Sequence, residues 1–349
     1  MSQLREWHNA ARMIPKPTTP RQHAPLWQHE LRKAYSRPLE LLDDLQIDPT
    51  LPMLELARMR DFPLRVPRGF VTRMAKGDPL DPLFLQVWPG FTEGLDVAGF
   101  SLDAVGDLHR LKDGGLIHKY QGRALIIATG ACAIHCRYCF RRHFPYSDSM
   151  AARDHWQAAL ANLAADPSIE EAILSGGDPL SLSDEKLAEL VEGLDGIPHL
   201  KRLRIHTRQP VVLPERVDDD LLSWLRGTRL HTAIVIHANH ANELDAAVAA
   251  ALARLRETGA SLLNQSVLLR GVNDNETALA DLSARLFECG VLPYYLHMLD
   301  RVQGAAHFEV SLEKAAMLMR ELSLRLPGYL VPRLVREEAG APAKTLMPW

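Results

Sequence analysis

From residue 123 onward, short apolar and often β-branched runs alternate with longer segments of helical apolar spacing. No other feature restricts the fold so strongly. The runs fall at 123–128, 171–174, 203–206, 232–237, 262–269 and 292–298. After the first interval they recur about every 30 residues, the length of a βα unit. Helix-patterned segments occupy 154–165, 183–193, 217–226, 244–257, 275–287 and 311–324. Strands that alternate with helices pair in parallel through right-handed crossovers. Six units predict an α/β fold, a partial (β/α)6 barrel open on one side; the period also allows a doubly wound sheet. In either architecture the site lies at the carboxyl ends of the strands. Polar residues gather there: the loop after the first run, Ser175 to Asp178, His206 to Arg208, His237 to His240, Gln265, and Leu299 to Arg301.

The first interval is long because it holds a loop with three of the four cysteines, Cys132, Cys136 and Cys139, spaced C-x3-C-x2-C. Cubane iron–sulfur clusters are held by thiolates, usually four. Three leave one iron open to chelate an amine and a carboxylate, and S-adenosylmethionine offers both beside a cleavable sulfonium. The competing readings are a zinc site completed by His135 or His143, and disulfides. Zinc sites usually present two separated ligand pairs, and three clustered cysteines leave one unpaired, with Cys289 distant in sequence. Cys289, at an expected helix end, reads as a small buried thiol.

The 349 residues suffice for about two domains, or for one α/β barrel with additions. Residues 1–105 read as a helical and irregular cap, with Pro15, Pro17, Pro20 and Pro25 interrupting its start and helical spacing at 26–37 and 39–45. Residues 106–326 form the core, and 327–349 an extended strand followed by a small-residue loop that carries Lys344. A net charge of −3, with no basic block, gives no reason to expect nucleic acid or an anionic membrane as partner. No apolar run approaches the roughly 18 residues of a membrane span, and the first eight residues lack a signal-peptide core. The expectation is a cytoplasmic protein, which suits reduced thiolates.

Ser175-Gly176-Gly177-Asp178 follows the second run. Paired glycines admit positive φ and close approach of the main chain to a ligand, although Gly-Gly and Asp-Pro also mark ordinary tight turns. Arg141 and Arg142 stand just after the third cysteine, and a guanidinium there could clamp a carboxylate. Lys119 and Arg123, at or before the first run, could hold a phosphate or be surface charges. His237 and Gln265 could face the same pocket or be satisfied core residues. By spacing alone, Glu337 and Lys344 are ordinary surface charges.

Taken in order, these motifs resemble the lysine 2,3-aminomutase family of radical S-adenosylmethionine enzymes. The resemblance is carried by the cysteine loop with Arg141 and Arg142, Ser175 to Asp178, Arg208-Gln209-Pro210-Val211, Asn264-Gln265-Ser266-Val267, Pro293 to Asp300, and Gly77-Asp78-Pro79-Leu80-Asp81-Pro82. It covers most of the chain. It implies a [4Fe-4S] cluster on Cys132, Cys136 and Cys139, with S-adenosylmethionine contacts from Ser175, Gly176, Gly177, Asp178, His237 and Gln265. It implies pyridoxal 5′-phosphate joined to Lys344 in a Schiff base, its phosphate taken by Lys119 and Arg123. Lys119 stands where an arginine is frequent, and residues 339–343 hold less glycine than is common there. Arg141 matches the residue that binds the substrate carboxylate. Asp300 and Glu337 match the acids that hold the distant ammonium of L-lysine, Glu337 in place of the usual aspartate; carboxylates at both places fit a cationic substrate. The implied activity is an isomerase that moves nitrogen from C2 to C3 of lysine by hydrogen abstraction, served by an electron donor such as flavodoxin or ferredoxin. The short segment after Lys344 resembles the branch that makes (R)-β-lysine for elongation factor P and its ligase, as opposed to catabolic lysine aminomutases or relatives acting on another amino acid. Homo-oligomerisation is left open.

Overall fold

The computed structural model describes residues 24–55, 62–112, 114–146 and 156–349. The expected breaks at Pro15, Pro17 and Pro20, and the first two residues of the helix expected over 154–165, lie outside the described residues. One ten-stranded sheet runs in chain order: β1 (Leu111–Lys112), β2 (Leu116–Tyr120), β3 (Arg123–Thr129), β4 (Glu171–Gly176), β5 (Arg202–Thr207), β6 (His231–Ile236), β7 (Ser261–Val267), β8 (Leu292–His297), β9 (Arg333–Arg336) and β10 (Thr345–Leu346). Pairing is parallel from β3 to β9. It is antiparallel at both margins, where β1 and β2 precede the parallel run and β10 folds back on β9.

The six expected runs are β3 to β8. The helices that return the chain between them begin where a short polar side chain satisfies free backbone N–H groups. Asp218 accepts from Leu221, Asp245 from Val248, Asn275 from Ala278 and Ser311 from Lys314. Each helix lays an apolar stripe on the sheet, as Leu187, Leu190, Val191 and Leu194 do in Asp184–Asp195. Residues of the parallel strands, or directly after them as His237 is after β6 and Glu337 after β9, converge on one cavity, so the sheet is curved around it as a partial barrel. β9 adds a seventh parallel strand, and it brings Glu337 and Lys344 to the cavity rim.

The N-terminal residues build a second core, in which Trp27, Leu41, Phe70 and Phe84 pack with Ala133 and Ile134 of the cysteine loop. A buried ion cluster ties the two parts. The Glu93 carboxylate is shared by Arg137, whose Nε donates at 2.7 Å, and Arg142, whose Nη2 donates at 2.7 Å. Both guanidinium groups lie 4.7 Å from the Phe62 ring centre. Glu93→Gln strands two buried cations, and breaking such a set costs about 3–5 kcal/mol. The expected result is a lower urea midpoint at unchanged slope. A midpoint equal to that of the parent would mean that the cluster contributes nothing to stability.

Candidate active site

The sequence placed fifteen residues at a site, and all fifteen line a single cavity of about 740 Å³ at the carboxyl ends of the strands. Three groups of contacts shape it.

Cys132, Cys136 and Cys139 are free thiols on the loop after β3. Burial pushes the Cys132 thiol well up and Cys139 to about 11, so assembling thiolates on a metal must release protons. Among the described residues, the side chains whose ligand atoms come within 4.8 Å of one another in a group of three are Asp184, Asp218 and Asp220. The cysteine sulfurs do not form so tight a set. His135 and His143 are turned to backbone carbonyls, Pro63 at 2.8 Å and Gln303 at 3.1 Å.

The glycine turn is pressed against this loop. Gly177 N–H donates to Thr129 O at 2.7 Å and Asp178 N–H to Ala131 O at 2.8 Å. Gly176 has φ +121°, and a Cβ there would stand 2.5 Å from Thr129 O; one on Gly177 would stand 2.5 Å from Ala131 O. The close approach that needs glycine is therefore to the cysteine loop itself. The Asp178 carboxylate accepts from Thr207 Oγ1 at 2.7 Å and from the N–H groups of Arg208 and Gln209 at 2.7 and 3.1 Å, and from Leu180 N–H at 3.1 Å. It binds β4 to the turn after β5. Across the cavity, Gln265 Nε2 lies 3.0 Å from His237 Nε2. Burial, then Arg208 and Lys344, hold His237 at about 3, so its imidazole is neutral.

The third group is a chain of charges that begins beside the cysteine loop and glycine turn. Arg141 Nε donates to Asp107 at 2.7 Å and its Nη1 to Ser175 Oγ at 2.9 Å. Lys119 reaches Asp107 at 2.5 Å, Val105 O at 2.7 Å and Glu337 at 3.3 Å. Glu337 also accepts from the Tyr120 hydroxyl at 3.0 Å and from Lys344 Nζ at 2.6 Å. Arg123 lies over the Tyr120 ring, 4.6 Å from its centre. Burial resists ionisation of Glu337, but Lys344 and Lys119 overcome it and hold the carboxyl at about 2. Asp300 is the opposite case: burial, with Glu337 adding repulsion, pushes it up to about 7. Two acids in one pocket are thus driven apart, one held charged by ammonium groups and one pushed toward neutrality by burial.

Sequence reasoning missed Asp107, Tyr120 and His297. The signal for Asp107 was indirect, since Lys119 and Arg141 both require a counter-ion once buried. Asp300 Oδ1 and the Nε2 atoms of His206 and His297 are buried without a hydrogen-bond partner among the described residues. Such atoms fit a site that takes polar groups from a ligand. The donor set suits the three implied groups: three thiols for a cluster, a glycine turn with neutral imidazoles for a nucleoside and amino acid, and a lysine near an aromatic ring for pyridoxal phosphate.

A three-cysteine loop and glycine turn at the open end of six βα units define a radical S-adenosylmethionine domain, and the Radical SAM superfamily profile matches residues 126–282. The L-lysine 2,3-aminomutase of Escherichia coli is 49% identical over 91% of this chain and 93% of its own length. That of Haemophilus influenzae is 48% identical over 92% and 95%. The Clostridium subterminale enzyme of the same name is 34% identical over 79% of this chain and 66% of its own. The chain belongs to the L-lysine 2,3-aminomutase family. Among the described residues no helix is long and apolar enough to cross a membrane.

Proposed function

We propose that this chain is an isomerase that converts L-α-lysine to β-lysine with a [4Fe-4S] cluster, S-adenosylmethionine and pyridoxal 5′-phosphate. The observation that carries it is that the three cysteines, Lys344 and the unpartnered acid Asp300 face one cavity. When bound, the cluster and S-adenosylmethionine supply one-electron hydrogen abstraction, and pyridoxal phosphate carries the amino group as it moves.

The chain's own residues bind, orient and exclude water. Cys132, Cys136 and Cys139 hold the cluster, and Ser175, Gly176 and Gly177 present the turn to S-adenosylmethionine while Asp178 fixes its shape. His237 and Gln265 face the nucleoside. Lys344 anchors the pyridoxal group and Arg123 meets its phosphate, with Lys119 adding positive charge from within its pairs to Asp107 and Glu337. Arg141, steadied by Asp107, turns its remaining N–H groups to the substrate carboxylate. Asp300 accepts the distant ammonium together with Glu337, whose bond to Lys344 is exchanged for one to substrate.

In the finer reading the product is (R)-β-lysine, passed to a ligase that attaches it to elongation factor P. Higher identity to the Escherichia coli and Haemophilus influenzae relatives than to the Clostridium subterminale one supports this reading. An electron donor of the flavodoxin or ferredoxin type, a cytoplasmic location, a division at 105 and 326 into cap, core and C-terminal segment, and homo-oligomerisation belong to the same proposal. The test is an anaerobic assay of the reduced protein with S-adenosylmethionine, pyridoxal phosphate and L-lysine, the product resolved by chiral chromatography. (R)-β-Lysine is expected. No β-lysine with every component supplied, or zinc without iron and sulfide in the purified protein, would overturn the reading.

A further inference from the structure

Arg208 belongs to a motif that the functional reading above leaves unused. It follows β5 at its carboxyl end and is 6% exposed. Three distant parts of the chain hold its guanidinium. Nη2 donates to Gln86 Oε1 at 2.7 Å and to Glu243 Oε2 at 2.8 Å. The Phe70 and Tyr138 rings lie 5.5 and 5.6 Å from its Cζ. Nη1 then points at Cys136 Sγ, 2.7 Å away. The Tyr138 hydroxyl is itself fixed by Asn239 Nδ2, which donates to it at 2.7 Å. Glu243 in turn accepts from Asn239 N–H at 2.8 Å and Gln86 Nε2 at 3.2 Å, which closes the network.

A flexible ammonium could not make this arrangement; a planar fork can bond a carboxylate, an amide oxygen and a sulfur at once. Resting on the reading that Cys136 ligates the cluster, we propose that Arg208 is a positioning residue whose charge-assisted hydrogen bond to Cys136 Sγ raises the reduction potential of the cluster. Hydrogen bonds to cluster sulfurs are among the levers that set such potentials. The physical reason is charge: reduction adds an electron to an already anionic group in a buried site, and a donor aimed at a ligating sulfur stabilises the added charge more than the oxidised form. The Glu243 partner keeps the guanidinium from being an isolated buried cation.

The experiment is an EPR-monitored redox titration of the reconstituted, anaerobic protein with dithionite, comparing the parent with R208K and R208Q. The expected result for R208Q is a reduced-to-oxidised ratio about tenfold lower at a fixed poise, which is about 59 mV for one electron. R208K, which keeps the charge but not the fork, should show a smaller fall. A ratio unchanged in R208Q, with iron and sulfide content intact, would overturn the proposal. A second measurement needs no variant: pulsed EPR of the reduced cluster in protein whose arginine guanidinium nitrogens carry 15N. A 15N hyperfine coupling is expected. Arg137, Arg141 and Arg142, which also stand in or beside the loop, donate to Glu93, Asp107, Ser175 and backbone oxygens, whereas Arg208 is the arginine whose side chain donates to a cysteine sulfur among the described residues. A normal cluster signal without the coupling would overturn the role of Arg208 and leave the aminomutase reading standing. No cluster signal at all would overturn that reading as well.

Discussion

Lys344→Ala should abolish the absorbance of protein-bound pyridoxal phosphate and with it β-lysine formation, while the far-ultraviolet circular dichroism stays that of the parent. Lys344 sits just before the short β10, which pairs with β9 at the margin of the sheet, so truncating its side chain removes no core packing. Its ammonium is only partly exposed and is held 2.6 Å from Glu337, with the Tyr295 ring centre 5.9 Å from Nζ. The amine is therefore held at the cavity, beside an aromatic face that could support a pyridine ring. A second effect follows from the pair. Without Lys344, Glu337 keeps Lys119 and Tyr120 but loses its largest favourable partner, and its carboxyl must rise from about 2 toward the usual range. NMR titration of Glu337 in the variant reads that shift. An unchanged cofactor spectrum would mean that the pyridoxal group is held elsewhere.

Asp300→Asn should raise the KM for lysine by about 30-fold to a few thousand-fold, with a smaller effect on kcat. Truncating one partner of a buried, hydrogen-bonded charge pair costs about 2–5 kcal/mol, and about 1.4 kcal/mol is tenfold. The pH dependence separates this residue from its neighbour. Asp300 ionises at about 7 in the folded protein, so below that pH its carboxyl is neutral and cannot pair with an ammonium. In the parent, kcat/KM for lysine should rise with pH up to about 7, at most tenfold per unit, and level off above it. Glu337, held low by Lys344 and Lys119 and returned no higher than the usual carboxylate range once Lys344 is engaged, stays ionised near neutral pH and contributes no such limb. In Asp300→Asn the limb should vanish.

The same shift fixes the sign of a stability change. An acid whose folded value lies above its unfolded one resists ionisation only when folded, so its stabilising effect is full below the unfolded value and is lost as pH rises toward 7. Asp300→Asn should therefore stabilise the ligand-free protein at pH 8 more than at pH 5. A variant with a parental pH profile and no such difference would exclude Asp300 as the ammonium acceptor.

The parallel core was legible because periodicity survives in one dimension. Each βα unit repeats its own apolar pattern and its own capping residue, so the ranges of β3 to β8 and of the helices between them agree with the sequence reading within about two residues at most ends. The rule that sites lie at strand carboxyl ends then placed the cysteine loop, the glycine turn, His237, Gln265 and Asp300 on one surface. Partners joined by charge across the chain were not legible. Asp107 is 34 residues from Arg141, Glu93 is 44 from Arg137, and Arg208 is 72 from Cys136. Nothing in a local pattern pairs residues so far apart, because burial supplies the need for a partner and the topology decides which one is near.

The sequence by itself determined a three-cysteine loop, a succession of six βα units and the position of a C-terminal lysine: spacing within eight residues, a period near 30 and one resemblance sufficed for those. Only the tertiary structure decided how these parts act on each other. It showed that Gly176 and Gly177 are small so that the turn can lie against the cysteine loop, and that Glu337 and Lys344 reach the cavity because β9 extends the parallel sheet. It also divided two similar acids into one held ionised by two ammonium groups and one pushed toward neutrality by burial. The physical reason is that electrostatic character in a protein depends on desolvation and neighbours, and both exist only after the chain has folded.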